Sequence, residues 1–599
     1  MKFTQLTGEN IYYSFVSGAN QVIAQKKVLN DINVFPVPDG DTGNNLASTM
    51  ETIIEEAKVD ANAYRTFQSI ADAALTGARG NSGIIFAQYI NGISDSLADE
   101  DVISIRSFAE SVKNAVPHAY SAISNPVEGT MITVIKDWAE AVHSKWEQAG
   151  DFYELLSHSL ETAMESLRQT TEKLKVLKDA SVVDSGAKGF VHFVEGFAQF
   201  LKTGEMEKLK RQDEIIDFGE HPEHVHDHFD QRYCTEGLIA KDGLDLDRLK
   251  EDLAGIGDSL IVAGNSRKAR IHVHTNHPDE VFMKLRSHGR ILQQKVDDMK
   301  SQYDAIYNRK YPIALVTDSI ADLPKEWMDH YQIHMIPLNL MMDDTAYLDK
   351  VTITSESFYK LMDEVETYPT SAQPNAKVVE GILSSIMSHY DSIIVVTVAK
   401  ALSGTYQTIA NAAEKLRQQG KKITVVDSKQ NSGAQGLLVM KAAEWIHEGK
   451  THEEVVSLLE EKIPKTKILV SVNTLKYMVR SGRVNKVTGV LGKLMNLKPV
   501  ISLDENGMGT ILDKAFSIKG NTAKIKNRIK AMEEEYGNLR YAIVHAGSEK
   551  RAQEYHEIFK GILGKEPEYI MSISPIVAMS AGIGCAAVAV MSDEKGKTA

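Results

Sequence analysis

Apolar residues recur at helical spacing throughout the first 200 residues of the chain. Short breaks that contain glycine or proline separate the periodic runs, and no strong strand run is present. The helices that this spacing predicts cover residues 8–33, 64–75, 107–120, 131–146 and 152–170. The pattern therefore predicts an all-α domain.

A charged, histidine-rich run at residues 211–233 follows and predicts a linker. A smaller mixed segment then continues to about Tyr307. Its strand-like runs lie at residues 258–264 and 269–275, and a helix-like run lies at residues 279–289. This segment is typical of a small α+β domain.

The pattern changes again from Pro312 onward, where short β-branched runs alternate with amphipathic helical stretches. Continuously apolar strands between helices are typical of an α/β sheet that is covered on both faces. The strands predicted in this way lie at residues 313–318, 392–399, 422–427, 467–472, 541–547 and 585–591.

Composition narrows the class of protein further. The length of 599 residues predicts several domains, and the net charge of -14 argues against a nucleic-acid partner. No apolar run reaches the ~20 residues of a membrane span, and the N-terminus lacks an apolar signal core. The two cysteines, Cys234 and Cys585, fit a reducing compartment, so we expect a cytoplasmic protein.

The run NVFPVPDGDTGNNL at residues 33–46 sets Asp39 and Asp41 around a single glycine. Neighbouring carboxylates repel each other unless a cation or a proton offsets their charge. Mg²⁺ prefers oxygen ligands and commonly takes one or two carboxylates together with substrate phosphates. Taken alone, the run favours a polar turn with an Asp N-cap, so the rest of the chain has to decide between the two interpretations.

Three further turns of small residues lie between the predicted helices: GARGNSG at 77–83, SNPVEGTMIT at 124–133 and VVDSGAKGF at 182–190. A helix is expected to begin at about Ile84, so its first amides could face an anion. A tight turn between helices is the alternative for each run on its own. Four such turns in one helical domain predict a site built from several loops at one end of a bundle.

In order and approximate spacing, these four motifs resemble the dihydroxyacetone-kinase L-type domain, in the version found in the catalytic subunit of bacterial fatty acid kinase. The resemblance covers residues 8–200. It implies a helical barrel that binds ATP, with two Mg²⁺ ions at Asp39 and Asp41 and with Asn33 as a weaker candidate. The nucleotide-binding positions that match the motifs are Thr42, Asn45, Gly80, Asn81, Ser82, Gly83, Thr130, Asp184 and Gly186.

The middle segment offers one thiol and two imidazoles. Cys234 lies in YCTEG, and His272 and His274 lie in IHVHTNHP, where alternate strand residues share a face. Such a set suits zinc, although a His-X-His strand can also face solvent. The resemblance to the kinase's catalytic chain extends over residues 201–307 and implies a structural Zn²⁺ at these three residues, with no fourth ligand apparent.

Residues 312–592 resemble the DegV family, the fatty-acid-binding partner of the same kinase. The resemblance is carried by VTDSIADLP at 316–324, PTSAQPN at 369–375, LSGTYQ at 402–407, VVDS at 425–428, MVRSGRV at 478–484 and LKPVISL at 497–503. It implies a two-lobed α/β fold. It also implies that the fatty acid carboxylate is held at Thr370 or Ser371, at Ser403 with Thr405, and near Arg483.

Two departures from the DegV pattern affect the head-group site. TSAQP has one more residue between Thr370 and its proline than the usual motif, so Thr370 and Ser371 cannot be ranked. The C-terminal run SAGIG places Ser580 where a head-group histidine is expected. A hydroxyl can form a hydrogen bond there, but it cannot carry a positive charge.

Together these observations predict a fatty acid kinase fused to its lipid carrier, which would form an acyl phosphate and ADP. Asp39, Asp41 and Arg483 are the expected catalytic residues. A dihydroxyacetone-type kinase and a non-catalytic lipid-binding protein remain as alternatives. The expected ligand is a fatty acid, transient membrane contact would serve lipid exchange, and a homodimer is left open.

Overall fold

The computed structural model describes residues 2–35, 40–205, 230–362, 365, 367–474, 476–481 and 497–593. Two predicted site residues, Asp39 and Arg483, lie outside the described residues, as does most of the predicted histidine-rich linker. The chain divides into two compact units, residues 1–300 and residues 301–599, and each is described by itself.

The N-terminal part of the first unit is helical, as predicted. Its described helices are α1 (Gly8–Ala24), α2 (Lys26–Asp31), α3 (Thr42–Glu56), α4 (Ala63–Gly77), α5 (Gly80–Ser96), α6 (Ile105–Asn114), α7 (Val116–Ala122), α8 (Met131–Lys145), α9 (Phe152–Lys173), α10 (Lys175–Ala180) and α11 (Ser185–Thr203). The sequence pattern missed two short antiparallel strands, β1 (Gln5–Thr7) and β2 (Val102–Ser104). Three residues are too few to show an alternation of polar and apolar positions.

Helices α1 and α11 pack closely because each has a glycine at the contact. A Cβ atom on Gly18 would lie 2.7 Å from the carbonyl oxygen of Phe193, and one on Gly196 would lie 2.6 Å from that of Ser17. The ring of Phe15, on α1, lies 5.3 Å from Phe193 and 5.5 Å from Phe197, centroid to centroid. This aromatic cluster forms the centre of the helical core.

The middle segment forms an antiparallel sheet in the order β4–β5–β3–β6. Its elements are β3 (Tyr233–Ala240), α12 (Leu246–Leu253), β4 (Asp258–Gly264), β5 (Lys268–Thr275), α13 (Pro278–His288) and β6 (Arg290–Asp298). Two residues of β4, Ile261 and Ala263, join the core of the helical part. The side chain of Gln88, on α5, accepts a hydrogen bond from the amide of Gly264 (2.7 Å). The middle sheet therefore packs directly on the helical part.

The second unit contains two large sheets, and its elements continue the numbering from α14 (Met299–Tyr307). Its strands are β7 (Ile313–Asp318), β8 (His334–Ile336), β9 (Asn339–Met342), β10 (Thr345–Leu348), β11 (Thr370–Ala372), β12 (Ser392–Thr397), β13 (Ile423–Asp427), β14 (Thr466–Ser471), β15 (Val500–Leu503), β16 (Gly509–Asp513), β17 (Leu539–His545), β18 (Ile570–Ser572) and β19 (Ala586–Ser592). Its other helices are α15 (Lys325–His330), α16 (Ser355–Leu361), α17 (Ala376–Met387), α18 (Thr405–Gln418), α19 (Ser432–His447), α20 (His452–Lys462), α21 (Lys476–Ser481), α22 (Ile518–Tyr536), α23 (Glu549–Leu563) and α24 (Pro575–Ala581).

One sheet, in the order β13–β12–β7–β8, is parallel throughout. The other, in the order β16–β15–β14–β19–β17–β18, is antiparallel except for its β17–β18 pair. A three-stranded antiparallel sheet, β10–β9–β11, accompanies them. The predicted α/β class is confirmed, but strand runs alone did not distinguish the two large sheets, because both bury their central strands on two faces.

Helix α19 lies between the two large sheets, since it packs against β7 and β12 of the parallel sheet and against β14, β17 and β19 of the other. Most of its residues are buried. Among the described residues, no helix combines the length and the apolar character needed to cross a membrane.

Candidate functional site

The GARGNSG turn forms the start of helix α5. The helix begins at Gly80, earlier than the predicted Ile84; Arg79 is its extended N-cap, and Gly80 itself has φ +55°. The first helical hydrogen bond runs from the amide of Gly83 to the carbonyl of Arg79 (3.1 Å). The predicted residues Asn81 and Ser82 therefore lie in the first turn, where helical amides have no partner within the helix.

The starts of three helices lie side by side at this point. A Cβ atom on Gly80 would lie 2.3 Å from the Asn45 side-chain nitrogen, so α5 contacts the first turn of α3. A Cβ atom on Gly186 would lie 2.6 Å from the Ser82 hydroxyl, so α5 also contacts the first turn of α11. Helix N-termini carry partial positive charge and bind anions. The structure thus brings Asn45, Gly80, Ser82 and Gly186 together in an arrangement that suits a phosphate.

Asp184 has a capping role at the edge of this region. Its carboxylate accepts a hydrogen bond from the amide of Ala187 in α11 (2.8 Å) and another from the amide of Met131 in α8. Burial raises the pKa of Asp184 to about 6, although both amides oppose this rise. One carboxylate therefore joins the starts of two helices. Thr130, directly before α8, donates its hydroxyl to the carbonyl of Val127 (2.8 Å).

The DGD run leads into helix α3. Asp41 is the residue before the helix, and its side chain makes no capping hydrogen bond to the helix amides. The hydroxyl of Thr42 donates to the side-chain oxygen of Asn33, and both residues are buried. In the middle sheet, burial is the largest influence on two pKa values: it raises that of Cys234 and lowers that of His272. The negative charge of Asp41 acts to raise both. Asp41 therefore lies within electrostatic range of the predicted zinc ligands.

Cys234, His272 and His274 form one cluster. One ligating atom of each lies within 4.8 Å of the other two. The Cys234 Sγ atom lies 3.7 Å from His272 Nδ1, and the two imidazole centroids are 5.0 Å apart. His272 Nε2 is buried and has no hydrogen-bond partner among the described residues. Burial raises the pKa of Cys234 and lowers that of His272. This donor set and the orphaned nitrogen fit a zinc ion.

Sequence reasoning missed Glu236, which contacts the GARGNSG turn at residues 77–83. It lies on β3, and its side chain is 1% exposed. Its carboxylate accepts hydrogen bonds from the Gly80 amide (2.6 Å), from Arg79 Nη1 (3.3 Å) and from Arg270 Nη2 (3.1 Å). A glutamate as the single charged residue of the strand YCTEGLIA was a usable signal, because a buried charge needs a partner.

The electrostatic balance around Glu236 favours its ionised form. Burial by itself would raise the pKa of Glu236, but the neighbouring His272 and the charges of Lys295 and Arg270 outweigh burial and hold this pKa well below its usual range. Lys295 forms its own ion pair with Asp297 (2.6 Å). Glu236 is thus an anion shared between the helical part and the middle sheet.

The second unit encloses an apolar cavity of about 920 Å³, a volume that includes the space at its mouth. The apolar residues that line it come mainly from the antiparallel sheet and from α24, and include Ile468, Ile501, Val544 and Ile576; Val398, which directly follows β12 of the parallel sheet, also lines it. Such a cavity suits an aliphatic chain rather than a polar metabolite.

Three of the predicted head-group residues, Ser371, Ser403 and Ser580, line this cavity. Thr370 is exposed and does not line it, because neighbouring residues of β11 point to opposite faces. Thr405 is buried behind Ser403, and their hydroxyl oxygens are 2.8 Å apart.

Three polar residues of the cavity wall were not predicted: Asn431, Ser432 and Ser502. The Ser432 hydroxyl donates to the buried carboxylate of Asp322 (2.5 Å), which also pairs with Lys350 (2.8 Å). The Ser502 hydroxyl is buried and has no partner among the described residues. Nothing in the strand pattern marks a lone serine of this kind.

The chain thus combines three parts: a helical part in which three helix N-termini lie side by side, a small sheet with a Cys/His cluster, and an α/β unit with an apolar cavity. Family models match all three parts in order. Residues 36–199 match the DAK2 domain, residues 230–306 match the middle domain of fatty acid kinase-like proteins, and residues 312–593 match the DegV family of uncharacterised proteins. The chain therefore carries a DAK2 domain, a fatty acid kinase-like middle domain and a DegV domain.

The chain is also similar to curated bacterial proteins. An uncharacterized protein of Staphylococcus epidermidis is 34% identical over 321 residues, and one of Staphylococcus aureus strain USA300 is 33% identical over 324 residues. Each match covers 51% of this chain and 58% of the relative. The chain thus spans little more than half the length of these relatives.

Two solved structures are similar to the C-terminal half. A fatty-acid-binding DegV family protein of Thermus thermophilus is 26% identical, with a TM-score of 0.43, and covers 47% of this chain and 99% of its own. The fatty acid binding protein DegV of Bacillus subtilis is 25% identical, with a TM-score of 0.43, and covers 47% of this chain and 100% of its own.

Proposed function

We propose that the protein is an ATP-dependent fatty acid kinase joined in one chain to its lipid carrier. The observation that carries the proposal is the apolar cavity edged by Ser371, Ser403 and Ser580, because it accompanies a DAK2 domain and a fatty acid kinase-like middle domain. Joining a kinase to its carrier raises their effective concentration without any new contact.

The helical part would bind the nucleotide. Asp39 and Asp41 would hold Mg²⁺, which offsets the charge that develops during phosphoryl transfer. The amides of Asn81 and Ser82 would face a phosphate at the start of α5, and Asn45 and Gly186 border the same space. Asp184 accepts hydrogen bonds from amides at the starts of α8 and α11 and would hold these two helix starts in place at the edge of the nucleotide.

The second unit would hold the fatty acid. Each CH₂ group that leaves water for the cavity stabilises the complex by about 0.8 kcal/mol. The hydroxyls of Ser371, Ser403 and Ser580 would donate hydrogen bonds to the carboxylate, and Arg483 would stabilise negative charge. A carboxylate oxygen would attack the γ-phosphorus as the bond to ADP breaks, so that an acyl phosphate and ADP form.

The middle sheet would hold Zn²⁺ at Cys234, His272 and His274. The three ligands come from the paired strands β3 and β5, where Cys234 is the direct partner of His274. Zinc bound by such a set stabilises the thiolate and adds its binding free energy to folding. The ion would therefore strengthen the sheet that packs on the helical part.

Analysis of the bound small molecules, followed by a turnover assay, tests the proposed reaction. The purified chain is extracted under denaturing conditions, the extract is analysed by mass spectrometry, and the lipid found is offered with Mg-ATP. We expect a fatty acid and ATP-dependent acyl phosphate, with turnover lost in a D39N/D41N variant and lipid retained.

Each part of the proposal has its own contrary outcome. If the extract holds no fatty acid and added fatty acids neither bind to nor stabilise the protein, the carrier assignment is wrong. Lipid binding without acyl phosphate would support a non-catalytic lipid-binding protein. ADP formed with dihydroxyacetone, but not with a fatty acid, would support the hydroxy-ketone kinase.

A further inference from the structure

Glu236 connects the middle sheet to the turn that would receive phosphate. Its Oε1 atom accepts from the Gly80 amide at 2.6 Å, a short distance typical of charged hydrogen bonds. Its Oε2 atom accepts from Arg79 and Arg270. Arg79 and Gly80, two consecutive residues of the turn between α4 and α5, are therefore held by one side chain of the middle sheet.

The turn needs a left-handed backbone conformation at Gly80, which glycine adopts more readily than any other residue. Gly80 has φ +55°, and a side chain at this position would collide with Asn45. Glycine is also the residue that loses most conformational freedom on folding. An external partner for its amide therefore restricts the orientation of the turn, and Glu236 is that partner.

The contact between Glu236 and its two arginine partners, Arg79 and Arg270, carries a net positive charge. Arg79 and Arg270 share the single carboxylate of Glu236, so the three groups carry one net positive charge. Arg270 is fully buried, whereas the Arg79 side chain is 28% exposed. Arg79 thus keeps guanidinium donors beyond the Nη1 atom that contacts Glu236, and its side chain is partly open to solvent.

A second observation concerns an acceptor atom at the same turn, which suits a donor group or the Mg²⁺ of the nucleotide rather than a phosphate. Asn81 follows Gly80, and its Oδ1 atom is buried without a hydrogen-bond partner among the described residues. With the Gly80 amide already bonded to Glu236, the amides of Asn81 and Ser82 remain at the start of the helix.

We infer that Glu236 is a positioning residue for the nucleotide: it fixes the Arg79–Gly83 turn, so the middle sheet completes a phosphate site that the helical part alone does not hold in shape. This inference rests on the proposed nucleotide site. Glu236 itself does not contact the phosphate, which is bound by the Asn81 and Ser82 amides and by Arg79.

Full-length E236Q tests the inference, with D298N as the matched control. Asp298 is an acidic residue of the same sheet, and it forms an ion pair with Arg232 (2.6 Å) at the end of β6. Because E236Q leaves the buried Arg270 uncompensated, E236Q/R270M serves as a second variant in which both buried charges are removed. Mg-ATP affinity is measured by calorimetry, and local opening by hydrogen exchange in peptides that cover residues 77–90. Zinc content and melting temperature are recorded in parallel.

We expect both Glu236 variants to bind Mg-ATP about tenfold more weakly or worse, as the loss of charged hydrogen bonds predicts. Amide hydrogen exchange at the start of α5 should become faster in both variants. E236Q/R270M should remain folded and should keep its zinc. D298N should match the wild type in both measurements.

The contrary results are distinct. If D41N weakens Mg-ATP binding while both Glu236 variants bind like the wild type with unchanged exchange at residues 77–90, the positioning role is wrong and the nucleotide site stands. If the wild-type chain does not bind Mg-ATP, the proposed function fails first. A parallel loss of zinc, melting temperature and affinity in E236Q/R270M would assign Glu236 to general stability instead.

Discussion

A buried carboxyl in the second unit makes stability depend on pH. Asp349 is fully buried next to Lys350, and one of its oxygens accepts a hydrogen bond from the amide of Ile576 at the start of α24 (3.3 Å). Its other oxygen has no partner among the described residues. Burial raises the pKa of Asp349 from 3.8 to about 7, against the opposing charge of Lys350 and a hydrogen bond from Ser319.

The number of protons bound by the folded and by the unfolded chain decides whether stability rises or falls with pH. Between about pH 4 and pH 7 the unfolded chain has lost the Asp349 proton while the folded chain keeps it, so the free energy of unfolding falls as the pH rises. A rise from 3.8 to about 7 corresponds to about 4 kcal/mol at most, since each pKa unit is worth about 1.4 kcal/mol. Above pH 7 the penalty is constant.

Comparison of the wild type with D349N isolates this contribution. Asparagine can still accept from Ile576 and cannot ionise. Hydrogen exchange in the buried strand β12 reports the opening of the second unit, and comparison at equal pH cancels the intrinsic exchange rates. We expect D349N to gain stability relative to the wild type as the pH rises from 5 to 8. Asp318, whose pKa burial raises to about 6, remains in both proteins. A difference that does not change with pH would refute the reasoning.

Three further predictions concern the other sites. D41N should remove ATP turnover and keep the fold, because it lowers like-charge repulsion in the DGD run; turnover near the wild-type rate would contradict the metal site. The chain, purified without a His-tag, should hold about one zinc, and C234S should reduce this content; zinc unchanged in C234S would point to other ligands. G186A should weaken Mg-ATP binding by displacing the Ser82 hydroxyl, whereas G381A, which meets no atom within 4 Å, should bind normally and melt slightly higher. Equal binding by G186A and G381A would show that Ser82 is not part of the nucleotide site.

The periodic segments were predictable because local pattern and tertiary burial agree in them. The run predicted at residues 258–264 is strand β4, and the run predicted at 313–318 is strand β7. Each has a length and a β-branched composition that suit a buried strand. The long helices α8 and α9 were predictable for a similar reason, since their apolar positions repeat over several turns.

What sequence could not provide depends on contacts between distant residues. Ser371 and Thr370 are neighbours of similar chemistry, and only the orientation of β11 decides which one lines the cavity. The start of α5 was misplaced because Asn81, Ser82 and Gly83 are poor helix formers in isolation. In the folded chain, Glu236 satisfies the Gly80 amide and allows the helix to begin earlier.

The hydrogen bond between Gly80 and Glu236 also orders events in time during synthesis. The two residues are separated by 156 positions in the chain. At about 5–20 residues per second, a ribosome needs on the order of 10–30 s to add that length. Helices α6 to α11 are made during this interval, and once α11 has ended at Thr203 the helices of the N-terminal part can pack while the Gly80 amide still lacks its carboxylate partner. In a nascent chain that stops before β3, the turn at Gly80 would therefore lack its hydrogen bond to Glu236. The helical part would reach its final structure only after β3 has been synthesised.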